Sequence, residues 1–183
     1  MNEFDTPGYA EYTYAKRAEG GLRLARALLV AGYVAFVALY FLICYASRVI
    51  PIFALAPLFL WMLVYFTWKY VKPEYEYSVT SGRVTFSVIH GKRSRKEMVN
   101  FAIKNCLQIA PATEREWIER LELYDPEVTY SALSSTSTPD KYYAAFETED
   151  GKRAVFYFEA TEKMLKLCRN YNSAHTVITK VRY

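Results

Sequence analysis

His90 and His175 are the only histidines in the chain, and neither stands in an HExxH or comparable ligand spacing. Gly91-Lys92 echoes the end of a phosphate-binding loop, but Phe86 occupies the position where that loop needs its first glycine. The GxSxG and GxGxxG patterns are absent. Glu74 and Glu76 alternate with Tyr75 and Tyr77, so the two carboxylates share one strand face, which reads as a solvated face opposite the tyrosines. Cys106 and His90 have the types of a nucleophile and its base, although a cysteine in a strand is more often a small core residue. These residues supply no catalytic set, no cofactor motif and no metal site, and the expectation is a non-enzymatic protein.

Only one cluster invites a binding hypothesis. Lys92, Arg93, Arg95 and Lys96 fall within five residues. Residues 69–104 carry eight bases and three acids, whereas 105–183 carry ten bases and twelve acids. The overall charge of +4 is therefore concentrated in the first of these regions. No aromatic stacking platform accompanies the bases, which argues against a nucleic-acid partner. Beside a membrane, each such base contributes about 1 kcal/mol toward an anionic leaflet. The alternative is a solvated connection whose charges face water.

A membrane is close by in the chain. Residues 27–46 and 49–68 are each 20 residues without a charge. As helices at ~1.5 Å per residue each would be about 30 Å long, the thickness of a bilayer core. Two such runs predict a two-helix transmembrane hairpin over 22–71, with Ser47-Arg48 as the turn. Cys44-Tyr45-Ala46 loosely fits a signal-peptide cleavage site, but the first run exceeds the usual ~7–15 apolar residues and a second follows at once. Lys16, Arg17, Arg23 and Arg26 precede the hairpin and Lys69 and Lys72 follow it. That bias puts both termini in the cytoplasm. Ala27, Ala31, Ala35 and Ala38 would let the helices approach closely, and Pro57 should kink the second. Residues 1–21 are polar, net acidic and end in Gly20-Gly21, and read as a poorly ordered tail. Cys44, Cys106 and Cys168 show no paired spacing and suit a reducing compartment.

Residues 72–172 read as an α+β domain. Period-2 alternation marks strands at Glu74–Thr80, around Val84, Phe86 and Val88, and around Val99, Phe101 and Ile103. Thr113 with Glu116 forms a capping-box pattern ahead of a helix bearing Trp117, Ile118, Leu121 and Tyr124. A short strand is expected at Thr129–Leu133. Lys141–Thr148 and Lys152–Glu159 flank Asp150-Gly151, a strong hairpin signal. Thr161 then caps a last helix with Met164, Leu165, Leu167 and Cys168 facing a core. The tail at 173–183 alternates weakly, as an edge strand would.

An antiparallel sheet closed by a C-terminal helix resembles the pleckstrin-homology-like (PH-like) barrel. Tyr75-Glu76-Tyr77-Ser78-Val79-Thr80-Ser81-Gly82, Gly91-Lys92-Arg93-Ser94-Arg95-Lys96, Ile109-Ala110-Pro111, Tyr142-Tyr143 and Glu162-Lys163-Met164-Leu165 resemble an uncharacterised bacterial family. Its members are small two-span membrane proteins with a cytoplasmic PH-like domain of unknown function. The resemblance implies a bacterial membrane location and brings no activity or site residues. The functional expectation is a membrane-anchored interaction module that meets anionic lipid headgroups or an unidentified protein partner, with self-association left open. A scaffold subunit of a membrane transport or secretion complex is the alternative.

Overall fold

The computed structural model describes residues 8–48, 54–91, 94–135 and 137–181. Eight strands and four α-helices follow one another: β1 Tyr9–Ala15, α1 Gly20–Ser47, α2 Ala56–Thr67, β2 Pro73–Thr80, β3 Arg83–His90, β4 Ser94–Ala102, β5 Gln108–Pro111, α3 Arg115–Tyr124, β6 Val128–Ala132, β7 Lys141–Glu147, β8 Arg153–Glu159 and α4 Glu162–Tyr171. The strands form two four-stranded sheets, ordered β1-β2-β3-β4 and β5-β7-β8-β6. The chain divides into two compact units. One comprises Met1–Lys16, Glu74–Ile89 and Ser94–Tyr183; the other comprises Arg17–Pro73 and His90–Arg93.

The first unit begins earlier than the sequence suggests. Residues 1–21, expected as a poorly ordered tail, contain β1, which pairs antiparallel with β2 from Tyr9↔Thr80 to Ala15↔Glu74. Ala10, Tyr12 and Tyr14 supply the alternating apolar face that buries this strand. The helical segment is thus inserted between two hydrogen-bonded neighbours of one sheet.

Aromatic rings from both sheets fill the space between them. Tyr77, Phe86 and Phe101 come from the first sheet, and Phe146, Phe156 and Phe158 from the second. Phe101 stacks on Phe146 with centroids 4.0 Å apart, and Phe86 tilts against Phe156 at 5.2 Å. Such offset and edge packing adds about 0.5–1.5 kcal/mol per pair beyond area burial. The Tyr77 hydroxyl donates to the Glu159 carbonyl, so the buried phenol is partnered.

The remaining elements close this core. Thr161 caps α4 by accepting from the Met164 amide at 3.3 Å, and Met164, Leu165, Leu167 and Cys168 are buried as expected. At its far end Asn172 donates to the carbonyls of Ile103 and Cys106 at 3.0 and 2.8 Å. Gly82, at φ +76°, turns β2 into β3, and a Cβ there would lie 2.8 Å from the Tyr171 ring. α3 covers the outer face of the second sheet, where Leu121 packs with Tyr143, Ala145 and Val155. Its capping box does not form: Glu114 takes the N-cap position without a side-chain capping bond and accepts instead from the Trp117 indole at 3.1 Å, while Glu116 pairs with Arg120 at 2.9 Å.

Two further details depart from expectation. β6 runs parallel to β8 in an otherwise antiparallel sheet. The chain reverses once into β7 and again into β8, and two reversals restore the direction of β6. Residues 173–181 form no strand; Thr176 makes an isolated parallel bridge to Ile109, and Thr179 bonds the Tyr142 hydroxyl at 2.6 Å.

In the second unit, α1 has a mean hydropathy of 2.5 over its most apolar window and is the one described helix long and apolar enough to cross a membrane. α2 covers 12 residues, and residues 49–53 of the expected second span lie outside the described residues. Contacts from α1 to α2 and to the turn that follows it run in antiparallel order. Arg26 Nε donates to the Val71 carbonyl at 2.9 Å, Tyr33 and Thr67 share a 2.6 Å hydrogen bond, and Tyr40 lies 6.0 Å from Phe59. Pro57, expected to kink a longer helix, stands in the first turn of α2, where its missing N–H costs nothing.

Candidate membrane-surface site

The basic cluster proposed from the sequence sits at the β3–β4 hairpin. Its tip, His90–Arg93, belongs to the same compact unit as α1 and α2. Gly91 adopts φ +62°, and a Cβ there would fall 2.8 Å from the Lys69 Cβ. Glycine is therefore needed both for the left-handed backbone and for the close approach. The His90 ring lies 6.2 Å from the ring of Tyr70. Lys69 and Tyr70 belong to a 3-10 turn, Trp68–Val71, that continues directly from α2.

Cations and aromatics are interleaved at this level. Lys69 Nζ lies 4.9 Å from the Tyr70 ring and Lys72 Nζ 5.7 Å from the Trp68 ring. Arg26 reaches the same turn through the Val71 carbonyl. Amphipathic rings beside lysine and arginine are the chemistry of a membrane–water boundary. Tyr70 is 63% exposed, as an interfacial side chain would be.

The four predicted bases do not behave alike. Lys92 and Arg93 lie outside the described residues. Arg95 pairs with Glu76, whose side chain is only 8% exposed. The expected solvated face of β2 is therefore corrected at Glu76, which is buried against a guanidinium brought from β4. A buried carboxylate requires such a partner, and Arg95 acts first as its counter-ion. Lys96 is exposed on β4. Pairing between strands that are distant in the chain has no local signature, so only the basic run was legible; the Lys69–Gly91 approach was not.

The remaining candidates for chemistry are held as structure. Cys106 and Cys168 are buried free thiols. Burial pushes the Cys168 thiol up to about 12 and the Cys106 thiol higher still, so both stay protonated and unreactive at neutral pH. His175 is exposed, and its carbonyl accepts from the Ile109 amide at 2.8 Å. Among the described residues no group of three or more His, Cys, Asp or Glu side chains is placed to hold a metal ion.

Residues 6–178 match a family model described as "Bacterial PH-like domain (DUF6106)". No curated protein and no solved structure matches the chain.

Proposed function

The chain belongs to this bacterial PH-like domain family, and from that premise we propose that it is a non-enzymatic interaction module anchored in the cell membrane. The observation that carries the reading is the β1–β2 pairing on either side of an apolar helix. A segment whose two ends are bonded side by side in one sheet must leave and return on the same side of a membrane. It therefore crosses an even number of times. α1, with 28 residues, is about 42 Å long at ~1.5 Å per residue and exceeds the bilayer core. Residues 49–68, which include α2, supply the return span. Lys16, Arg17, Arg23, Arg26, Lys69 and Lys72 favour the cytoplasmic side for both ends.

In this arrangement the hairpin tip rests at the inner boundary, beside Trp68 and Tyr70. The bases of this cluster, Lys92, Arg93 and Lys96, are read as the groups that meet anionic lipid headgroups and set the orientation of the module. Arg95 contributes mainly through Glu76. The sheets and loops then present their surfaces to an unidentified protein partner.

Sidedness labelling tests the anchor. Single cysteines at Glu11, Arg48 and Asp150, in a chain with Cys44, Cys106 and Cys168 replaced by serine or alanine, are treated with a membrane-impermeant maleimide in oriented vesicles. The proposal expects positions 11 and 150 to label from the cytoplasmic face and position 48 from the opposite face. Labelling of all three from one face would refute two spans.

A further inference from the structure

A cavity of about 240 Å³ opens in the sheet unit. Its walls come from β4 (Val99, Asn100, Phe101), β6 (Tyr130) and the β7–β8 turn. At the base lies the stacked Phe101–Phe146 pair, and both rings are nearly inaccessible to solvent. At the mouth stand Glu147, Glu149 and Asp150, all exposed. Arg83 is the one basic residue of the lining, and its Nε donates to Asn100 Oδ1 at 3.0 Å. The turn that carries the acids is held rigidly: the Thr148 amide donates to the Lys152 carbonyl at 2.9 Å, and Gly151 supplies φ +74°.

The partly exposed side chains of Val99 and Tyr130 beside an anionic rim select a particular kind of guest. An anion is repelled by three carboxylates set against one guanidinium. The volume falls below the ~300 Å³ at which pockets for drug-sized ligands and cofactors begin. Lysine and arginine side chains match both halves, because their methylene stems cover apolar surface while the charged head stays at the polar rim. Carboxylates there can accept charge-assisted hydrogen bonds from that head.

We propose that this cavity receives a single lysine or arginine side chain from a basic segment of a protein partner. The inference deepens the interaction-module reading and rests on it, naming the partner's chemistry at one surface. Binding is strongest for arginine, whose planar fork can engage two carboxylate oxygens at once.

The test uses the full chain in nanodiscs of neutral lipid. The probe is a dye-labelled glycine-serine peptide carrying two adjacent arginines, and its control carries citrulline at the same places. Fluorescence anisotropy reads binding. The parent should bind the arginine peptide about tenfold more tightly than the control, as hydrogen bonds to a charged group imply. Glu149→Gln with Asp150→Asn should remove that difference. Asn100→Trp should also remove it, because the indole fills the mouth without changing any charge. Retained binding in Asn100→Trp would mean that only surface charge attracts the peptide, and would overturn the pocket. Equal binding of both peptides by the parent would overturn it too. In either case sidedness labelling still reports the membrane anchor independently.

Discussion

α1 and the two sheets are built from the same apolar residue types and treat them in opposite ways. In the sheets Val79, Val155 and Phe156 are fully buried, as is Leu165 of the α4 helix that closes them. In α1, Leu28, Val34 and Leu42 are 64–65% exposed, and Cys44 is the only buried residue of the helix. Burying a valine, leucine or phenylalanine contributes about 1.5–3 kcal/mol when water is the alternative. α1 leaves those side chains uncovered and is long and apolar enough to cross a membrane. The two units thus treat their apolar side chains differently, and the chain passes between them at Lys16 and Pro73.

The largest expected contrast comes from truncating one side chain in each region. Phe156→Ala, at the centre of the ring cluster, should cost about 3–5 kcal/mol in urea unfolding of the sheet unit. Leu28→Ala in α1 should change that transition by less than about 0.5 kcal/mol. Similar costs at both sites would mean that α1 contributes to the water-soluble core.

A smaller contrast lies within the basic cluster. Arg95→Ser leaves the Glu76 carboxylate without its counter-ion and should cost about 1–2 kcal/mol, below the value for a fully buried pair because Arg95 is half exposed. Lys96→Ser should leave stability within about 0.5 kcal/mol. Paired melts of the two variants give the comparison, and equal melts would remove the structural role assigned to Arg95.

A contrast of another kind is expected at high pH. Burial raises the thiols of Cys106 and Cys168 and the phenols of Tyr14 and Tyr77. The folded chain therefore holds these protons more tightly than the unfolded chain does. Their contribution is complete below the ordinary thiol range near pH ~8.5 and is lost as pH rises toward about 12. The melting midpoint of the sheet unit should fall steadily over that interval and stay flat below it, and Cys168→Ala should soften the fall.

Legibility followed the locality of the signal. The β2–β3 and β7–β8 hairpins could be read because alternation and the glycines at 82 and 151 lie within one short window. The α4 cap at Thr161 was equally local. β1 was missed although Tyr12-Thr13-Tyr14 has the same alternation as Tyr75-Glu76-Tyr77. Four acids nearby and Gly20-Gly21 read as a tail, and its partner strand lies beyond the whole helical insertion. The burial of Glu76 and the direction of β6 likewise depend on strands brought together from a distance. At the candidate site the bases were visible as a run, but the approach of Gly91 to Lys69 was not. The cavity beside Phe101 has no motif, because its walls come from separate segments of the sheet unit.

The most direct test of the account replaces residues 17–72 by a short glycine-serine turn. Ala15 and Glu74 are paired neighbours, so such a turn can close the gap. The account predicts a detergent-free, soluble domain with a single cooperative melt, clearly more stable than residues 74–183 alone, which lack β1. A bridged chain that aggregates or melts without cooperativity would contradict it, as would a 74–183 fragment of equal stability.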